Sequence, residues 1–238
     1  MMMKQLALDI GLASGPTLER FFAGPNEAAL QHLRLWVGQG SQQATRAPVP
    51  TYLWGAPGSG KSHLLKAVAS ALREQGASVG WLDPSVHARP EFDERWAAVL
   101  LDDVHLYSTA QQALAFNWFV NATSPGSGAP RWVLAAGSVP PADLPLRDDL
   151  RTRLGWGHVF ALQPLSEAET RAALRREADR RGIFLSDDVM DHLLTRFERD
   201  MGCLMGLLDR LDHFSLARSR AITVPLLRTM LTEQGGAR

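Results

Sequence analysis

Eight consecutive residues, Gly55-Ala56-Pro57-Gly58-Ser59-Gly60-Lys61-Ser62, constrain the fold of this chain more than any other stretch. Glycines at 55, 58 and 60 let successive backbone N–H groups turn inward, which concentrates positive potential on an anion the size of a phosphate. The apolar run Thr51-Tyr52-Leu53-Trp54 leads into the loop, after a break at Pro48 and Pro50. Leu64, Leu65, Val68 and Leu72 follow at helical spacing, with a stop at Gly76. Strand, glycine loop and helix with G-x-x-x-x-G-K-[ST] make a P-loop. The pattern assigns Gly55, Pro57, Gly58, Ser59, Gly60, Lys61 and Ser62 to a purine nucleotide, ADP or ATP. Lys61 reaches the terminal phosphates, Ser62 holds Mg²⁺, and the helix N-terminus adds its partial charge. The sequence has only three lysines, Lys4, Lys61 and Lys66, so the one at this motif position is a selective placement.

A second acidic motif follows. Val99-Leu100-Leu101-Asp102-Asp103 is an apolar strand ending in two carboxylates, the form of a Walker B segment. Asp102 is expected beside the Mg²⁺, and Asp103 where it polarises a water. Further apolar strands are expected at 78–82, 97–101, 132–136 and 159–162, with helices at 61–75 and 111–122. A helix starting after Asn26 is expected to bury Leu30, Leu33, Leu35 and Val37. Continuous apolar strands alternating with helices mean a parallel sheet covered on both faces. From Pro164 onward only helices are expected. Ser166 with Glu169 makes a capping box for a helix ending near Gly182, Ser186 opens a second, 201–218 is a third, and Pro225 starts a fourth. The fold class is α/β, a nucleotide-binding core followed by a small all-helical domain.

Composition narrows the class further. A hydrophobic fraction of 45% fits a packed core, and 25 basic residues balance 25 acidic ones. That balance gives no whole-molecule field toward DNA or an anionic membrane, so any nucleic-acid contact would use a local patch. One cysteine, Cys203, rules out an internal disulfide and a multi-thiolate zinc site. No apolar run has the length of a membrane span, and Asp9 interrupts the N-terminal apolar stretch. A soluble, cytoplasmic protein is expected.

Walker A, a double-aspartate Walker B, Arg151-Thr152-Arg153-Leu154-Gly155-Trp156-Gly157 and the helical tail together resemble the DnaA-like AAA+ family, over roughly residues 16–235. The R-L-G-W-G segment is the specific part. The resemblance implies an AAA+ core with a helical lid, and it implies that Arg153 acts as a finger on nucleotide held by a neighbouring subunit. DnaA itself continues into a further helix-turn-helix domain, whereas this sequence stops at Arg238. It is more similar to Hda-like regulators, also in Leu162-Gln163-Pro164-Leu165-Ser166 and in Leu208-Asp209-Arg210-Leu211-Asp212. Members of that group carry a short peptide that docks on the DNA polymerase sliding clamp, and Gln5, Leu6, Leu8 and Ile10 fit it. An extended peptide with alternate apolar residues suits a groove with pockets. The implied organisation is a flexible clamp-binding arm at 1–15, an AAA+ core at 16–163 and a lid at 164–238.

Two positions depart from the family pattern. Ser138 stands at the sensor 1 position, usually Asp or Asn, and Gly202 at the sensor 2 arginine, with Arg199 a candidate substitute. Losing a cation there removes a charge-assisted contact to phosphate and weakens turnover more than binding. His63 and His105 read as local polar contacts. Phe116, Trp118 and Phe119 read as core and flank, lacking the basic neighbours of a base-stacking platform. Arg175-Arg176 and Arg180-Arg181 read as a solvated face. The resemblance implies a regulator that binds ADP or ATP and the clamp, is brought to the nucleoid through it, and stimulates hydrolysis of ATP on DnaA, preventing re-initiation. It would meet DNA only indirectly and no membrane. The alternative is a helicase-loader-like or motor ATPase that turns over its own ATP. Intrinsic ATPase and homo-oligomerisation stay open at this point.

Overall fold

The computed structural model describes residues 15–38, 49–88, 90–126, 128–197 and 200–235. Gln5, Leu6, Leu8, Ile10 and Arg199 lie outside the described residues. Five parallel strands form the sheet: β1 (Thr51–Trp54), β2 (Ser78–Leu82), β3 (Trp96–Leu101), β4 (Trp132–Gly137) and β5 (His158–Ala161), in the order β2-β3-β4-β1-β5. Helices α1 (Glu27–Val37) and α2 (Lys61–Glu74) cover one face, and α3 (Thr109–Thr123) and α4 (Asp148–Leu154) the other.

The strands are apolar along their length because successive side chains enter different cores. Leu53, Leu100, Leu134 and Ala136 pack toward α1 and α2, whereas Tyr52, Val99, Leu101 and Val133 pack toward α3 and α4. Trp36 of α1 stacks on Trp132 of β4 with ring centroids 3.5 Å apart. The lid comprises α5 (Glu167–Arg180), α6 (Asp187–Arg196), α7 (Met201–Arg218) and α8 (Val224–Gly235) around its own core of Leu174, Met190, Leu208 and Met230.

The capping box at Ser166 and Glu169 forms as expected. A second one, Ser108 with Gln111, starts α3 earlier than apolar spacing indicated. The α1 face needs correction. Leu35 is 62% exposed, and the buried set is Ala29, Leu30, Leu33, Trp36 and Val37. Residue 35 lies about 200° around the helix from Leu33, whereas 36 and 37 come back to the buried stripe.

Candidate functional site

The P-loop runs from the end of β1 into the first turn of α2. Gly58 and Gly60 are both left-handed, at φ 77° and 94°. A Cβ at Gly60 would lie 2.6 Å from Phe21 Cε2, so the residue ahead of α2 has neither the backbone freedom nor the space for a side chain. Lys61 is 7% exposed, and its Nζ donates to Gly55 O at 2.8 Å, Ala56 O at 2.9 Å and Ser59 Oγ at 3.4 Å. Burial pushes its ammonium pKa down, while the charges of Asp103 and Asp102 oppose that.

The acidic pair closes the other side. Asp102, at the end of β3, is buried and accepts a hydrogen bond from the Ser62 side chain. Burial raises its carboxyl pKa, the Ser62 bond lowers it, and the like charge of Asp103 raises it. Asp103 takes a left-handed backbone at φ 49°, uncommon for a residue with a Cβ, and its N–H donates to Asp102 Oδ1 at 3.1 Å. This places the two carboxylates on different sides: Asp102 against Ser62, and Asp103 on the wall of the cavity. No cluster of three or more His, Cys, Asp or Glu able to hold a metal occurs among the described residues. Ser62 with Asp102 fits Mg²⁺, which binds through few protein ligands, the ligand phosphates and water.

A cavity of about 710 Å³ opens between the P-loop and the lid. Pro57 to Ser62, Asp103 and Ser138 line its core side, and Met201, Gly202, Met205 and Gly206 of α7 its lid side. Ser138 and Gly202 are thus both on the cavity wall, and among the described residues α7 brings no cation to it. Instead the Asp200 carboxylate, which caps α7 by accepting from Cys203 N–H at 2.8 Å, lies against Gly58.

The basic pairs of α5 are solvated as expected at Arg176 and Arg180, but Arg181 is largely withdrawn from solvent and all four make contacts. Glu177 is buried, with Arg20 Nη2 3.0 Å, Arg180 Nη2 2.7 Å and Arg181 Nε 2.7 Å from Oε1. Arg181 also pairs with Asp209 of α7, Arg176 donates to Arg20 O at 3.1 Å, and Arg175 pairs with Asp187 of α6. Burial works to raise the Glu177 carboxyl, but hydrogen bonds from Arg180 and Arg181 and the charges of Arg181 and Arg20 hold it at about 2. Arg20, Arg176, Glu177 and Arg181 all line the cavity and were missed as site residues. The signal available was Glu177 followed by arginines three and four positions on, the spacing of one helix face.

His63 makes the local contact expected of it, donating to Thr17 O at 3.2 Å. His105 lines the cavity, and its buried Nδ1 has no hydrogen-bond partner among the described residues. Trp118 and Phe119 are core residues, whereas Phe116 is half-buried. Its basic neighbours are present after all: Arg147 and Arg153 lie over its ring, with Cζ 5.0 and 5.3 Å from the centroid.

Arg153 lies in the last turn of α4 and is not on the wall of the cavity. It makes no ion pair with Asp148 or Asp149, which pair with Arg151 at 2.6 Å and Arg147 at 2.7 Å. Trp156 does not brace the corner that follows, because its side chain is turned out to 73% exposure. Arg153 itself lies over the ring of Phe116, a contact between elements that no local pattern signals.

Comparison with known proteins agrees with this architecture. Residues 167–231 match the family model described as Hda, lid domain. Among solved structures, domain III of the Thermotoga maritima replication initiation protein DnaA is similar at 18% identity and a TM-score of 0.69, covering 97% of this chain and 98% of that one. AMPPCP-bound DnaA from Aquifex aeolicus is similar at 20% identity and a TM-score of 0.62, covering 84% and 66%. The Thermotoga maritima RuvB branch migration motor is similar at 16% identity and a TM-score of 0.59, covering 87% and 68%. The chain thus shares the fold of DnaA domain III, and its C-terminal helices match the Hda lid-domain model.

Proposed function

We propose that this chain is a regulatory AAA+ protein that binds ADP or ATP in the cavity between P-loop and lid and stimulates hydrolysis of ATP held by DnaA. The observation that carries the reading is the position of Arg153, off the wall of its own cavity and free of the carboxylates beside it in α4. A guanidinium so placed has no nucleotide of its own to serve and keeps its charge for one on a neighbour. The match of the lid to the Hda lid-domain family supports the same reading.

Residue roles follow from the chemistry present. Backbone N–H groups of the glycine loop and the Lys61 ammonium would neutralise phosphate charge, and Ser62 with Asp102 would hold Mg²⁺. When bound, the metal would offset the charge of the phosphate oxygens. Arg153 supplies donors to oxygens that gain charge as a γ-phosphoryl group departs, a contribution of about 10³–10⁵ in rate in enzymes of this class. The peptide Gln5, Leu6, Leu8 and Ile10 tethers the protein to the sliding clamp, which would bring it to DNA indirectly and keep its action to the time after replication has begun. A second reading, a loader or motor with its own turnover, is favoured by Asp103 standing on the cavity wall beside the P-loop.

Arg153→Ala in a reconstituted assay with DnaA, ATP, clamp and DNA tests the reading. The variant should keep fold, ADP binding and clamp binding but lose stimulation of hydrolysis. Arg153→Lys should fail as well, since an ammonium does not present the fork of donors. Undiminished stimulation by Arg153→Ala would overturn the finger assignment.

A further inference from the structure

We infer that Phe116 is the positioning residue for Arg153, its ring holding the guanidinium aimed until an anion on a partner takes it over. The inference rests on the reading of Arg153 as a finger and adds the group through which this fold sets it. The geometry begins on α3. Gln112, Phe116 and Phe119 follow at intervals of four and three, so they share one helix face. Gln112 Oε1 accepts from Arg147 N–H at 3.0 Å, which fixes the start of α4 on that face. At the other end of α4, Arg153 Cζ lies 5.3 Å from the Phe116 centroid and 5.9 Å from that of Phe119.

The distribution of charge around α4 shows why a ring and not a carboxylate takes this place. Four charged groups flank Arg153 in sequence. Arg147 pairs with Asp149, and Arg151 with Asp148, so each available acid is used by another arginine. Arg147 also lies over Phe116, and its pairing with Asp149 offsets the repulsion that two bare cations at one ring would feel. Arg153 is left with aromatic faces alone among these contacts. A carboxylate at this position would compete with phosphate for the same donors. A ring attracts the cation through its quadrupole, restricts its rotamers and leaves the N–H groups in the guanidinium plane available. Because the contact is weak, exchange for a phosphate oxygen is easy.

Two measurements test this. In the first, the Arg153 Nε–Hε NMR resonance, identified by its loss in Arg153→Lys, should carry a ring-current shift that Phe116→Leu reduces, leaving only the part due to Phe119, and Phe116→Tyr keeps. In the second, stimulation of hydrolysis of DnaA-bound ATP should fall about two- to fivefold in Phe116→Leu, the range expected for one exposed cation–π contact. Phe116→Tyr should restore it. Leucine preserves an apolar contact with α4, and both variants should melt close to the parent protein. If Phe116→Leu leaves the resonance unmoved, or if Phe116→Tyr stimulates no better than Phe116→Leu, the inference is wrong. If Arg153→Ala abolishes stimulation while Phe116→Leu stimulates fully, the finger reading stands and only the positioning role falls. If Arg153→Ala stimulates fully, both fall, whatever the resonance shows.

Discussion

Arg20, in the segment ahead of α1, and Glu177, on α5, meet at 3.0 Å across the boundary between core and lid. Both side chains are largely buried, at 16% and 10% exposure, and Glu177 also holds Arg180 and Arg181. Its carboxylate is thus the anion on which a cluster of guanidinium groups converges, on the wall of the nucleotide cavity.

Replacing it as Glu177→Gln should lower stability by about 1–3 kcal/mol, the scale of hydrogen bonds to a charged group, discounted because Arg180 is partly solvated. The sign with pH is fixed by the depressed pKa. Glu177 is held at about 2 against an ordinary 4.5, so its contribution is complete above pH 4.5 and drains away as pH falls from 4.5 toward 2. Urea unfolding of parent and variant across that interval checks this. The difference between them should shrink as pH falls, and a difference independent of pH would contradict the assignment.

Lys61→Ala should abolish nucleotide binding measured by calorimetry, because lysine and loop N–H groups act together on the phosphates. The variant should also lose about 1–2 kcal/mol of stability, since the carbonyls of Gly55 and Ala56 lose their shared donor. Unchanged affinity for ADP would remove the P-loop from the site.

Turnover of ATP by the protein alone should be slow despite Asp102 and Asp103. Ser138 and Gly202 line the cavity where larger polar or cationic groups would sense a γ-phosphate, and Asp200 brings a negative charge toward Gly58. A steady-state rate above roughly 1 s⁻¹ would favour the motor reading.

Deleting residues 1–12 should abolish clamp binding while leaving the melting temperature of the remainder in place. Among the described residues Leu18 and Phe21 are already buried in the cluster under α1 and α2. Retention of the clamp by the truncated protein on an immobilised-clamp column would place the binding peptide elsewhere.

The elements were legible where a local rule sets them. Glycines at 58 and 60 fix the turn, and apolar runs fix β3 and β4. Serine-x-x-glutamate at 166–169 fixes the start of α5, whereas apolar spacing alone places the start of α3 late, because Ser108 with Gln111 caps it. The lid face of the cavity was not legible, because Glu177 and its arginines come together through the docking of α5 on the segment around Arg20. No window of neighbouring residues contains that information. The same holds for Phe116 and Arg153, which α3 and α4 bring together. Leu35 fails for the opposite reason: its apolar character is real, but the helix turns it to solvent.

Strand β1 sits between β4 and β5, with Thr51 paired to Leu134 on one side and to His158 on the other. During synthesis, then, the strand that feeds the glycine loop can gain neither neighbour until the ribosome has released the chain as far as those residues. Ribosomes add about 5–20 residues per second, so this interval lasts seconds, long compared with the closure of a helix or hairpin. Throughout it α2 can coil, but nothing anchors its first turn against a sheet. The phosphate cradle is encoded early and assembled late, and the nascent chain has no nucleotide site until most of the core has emerged.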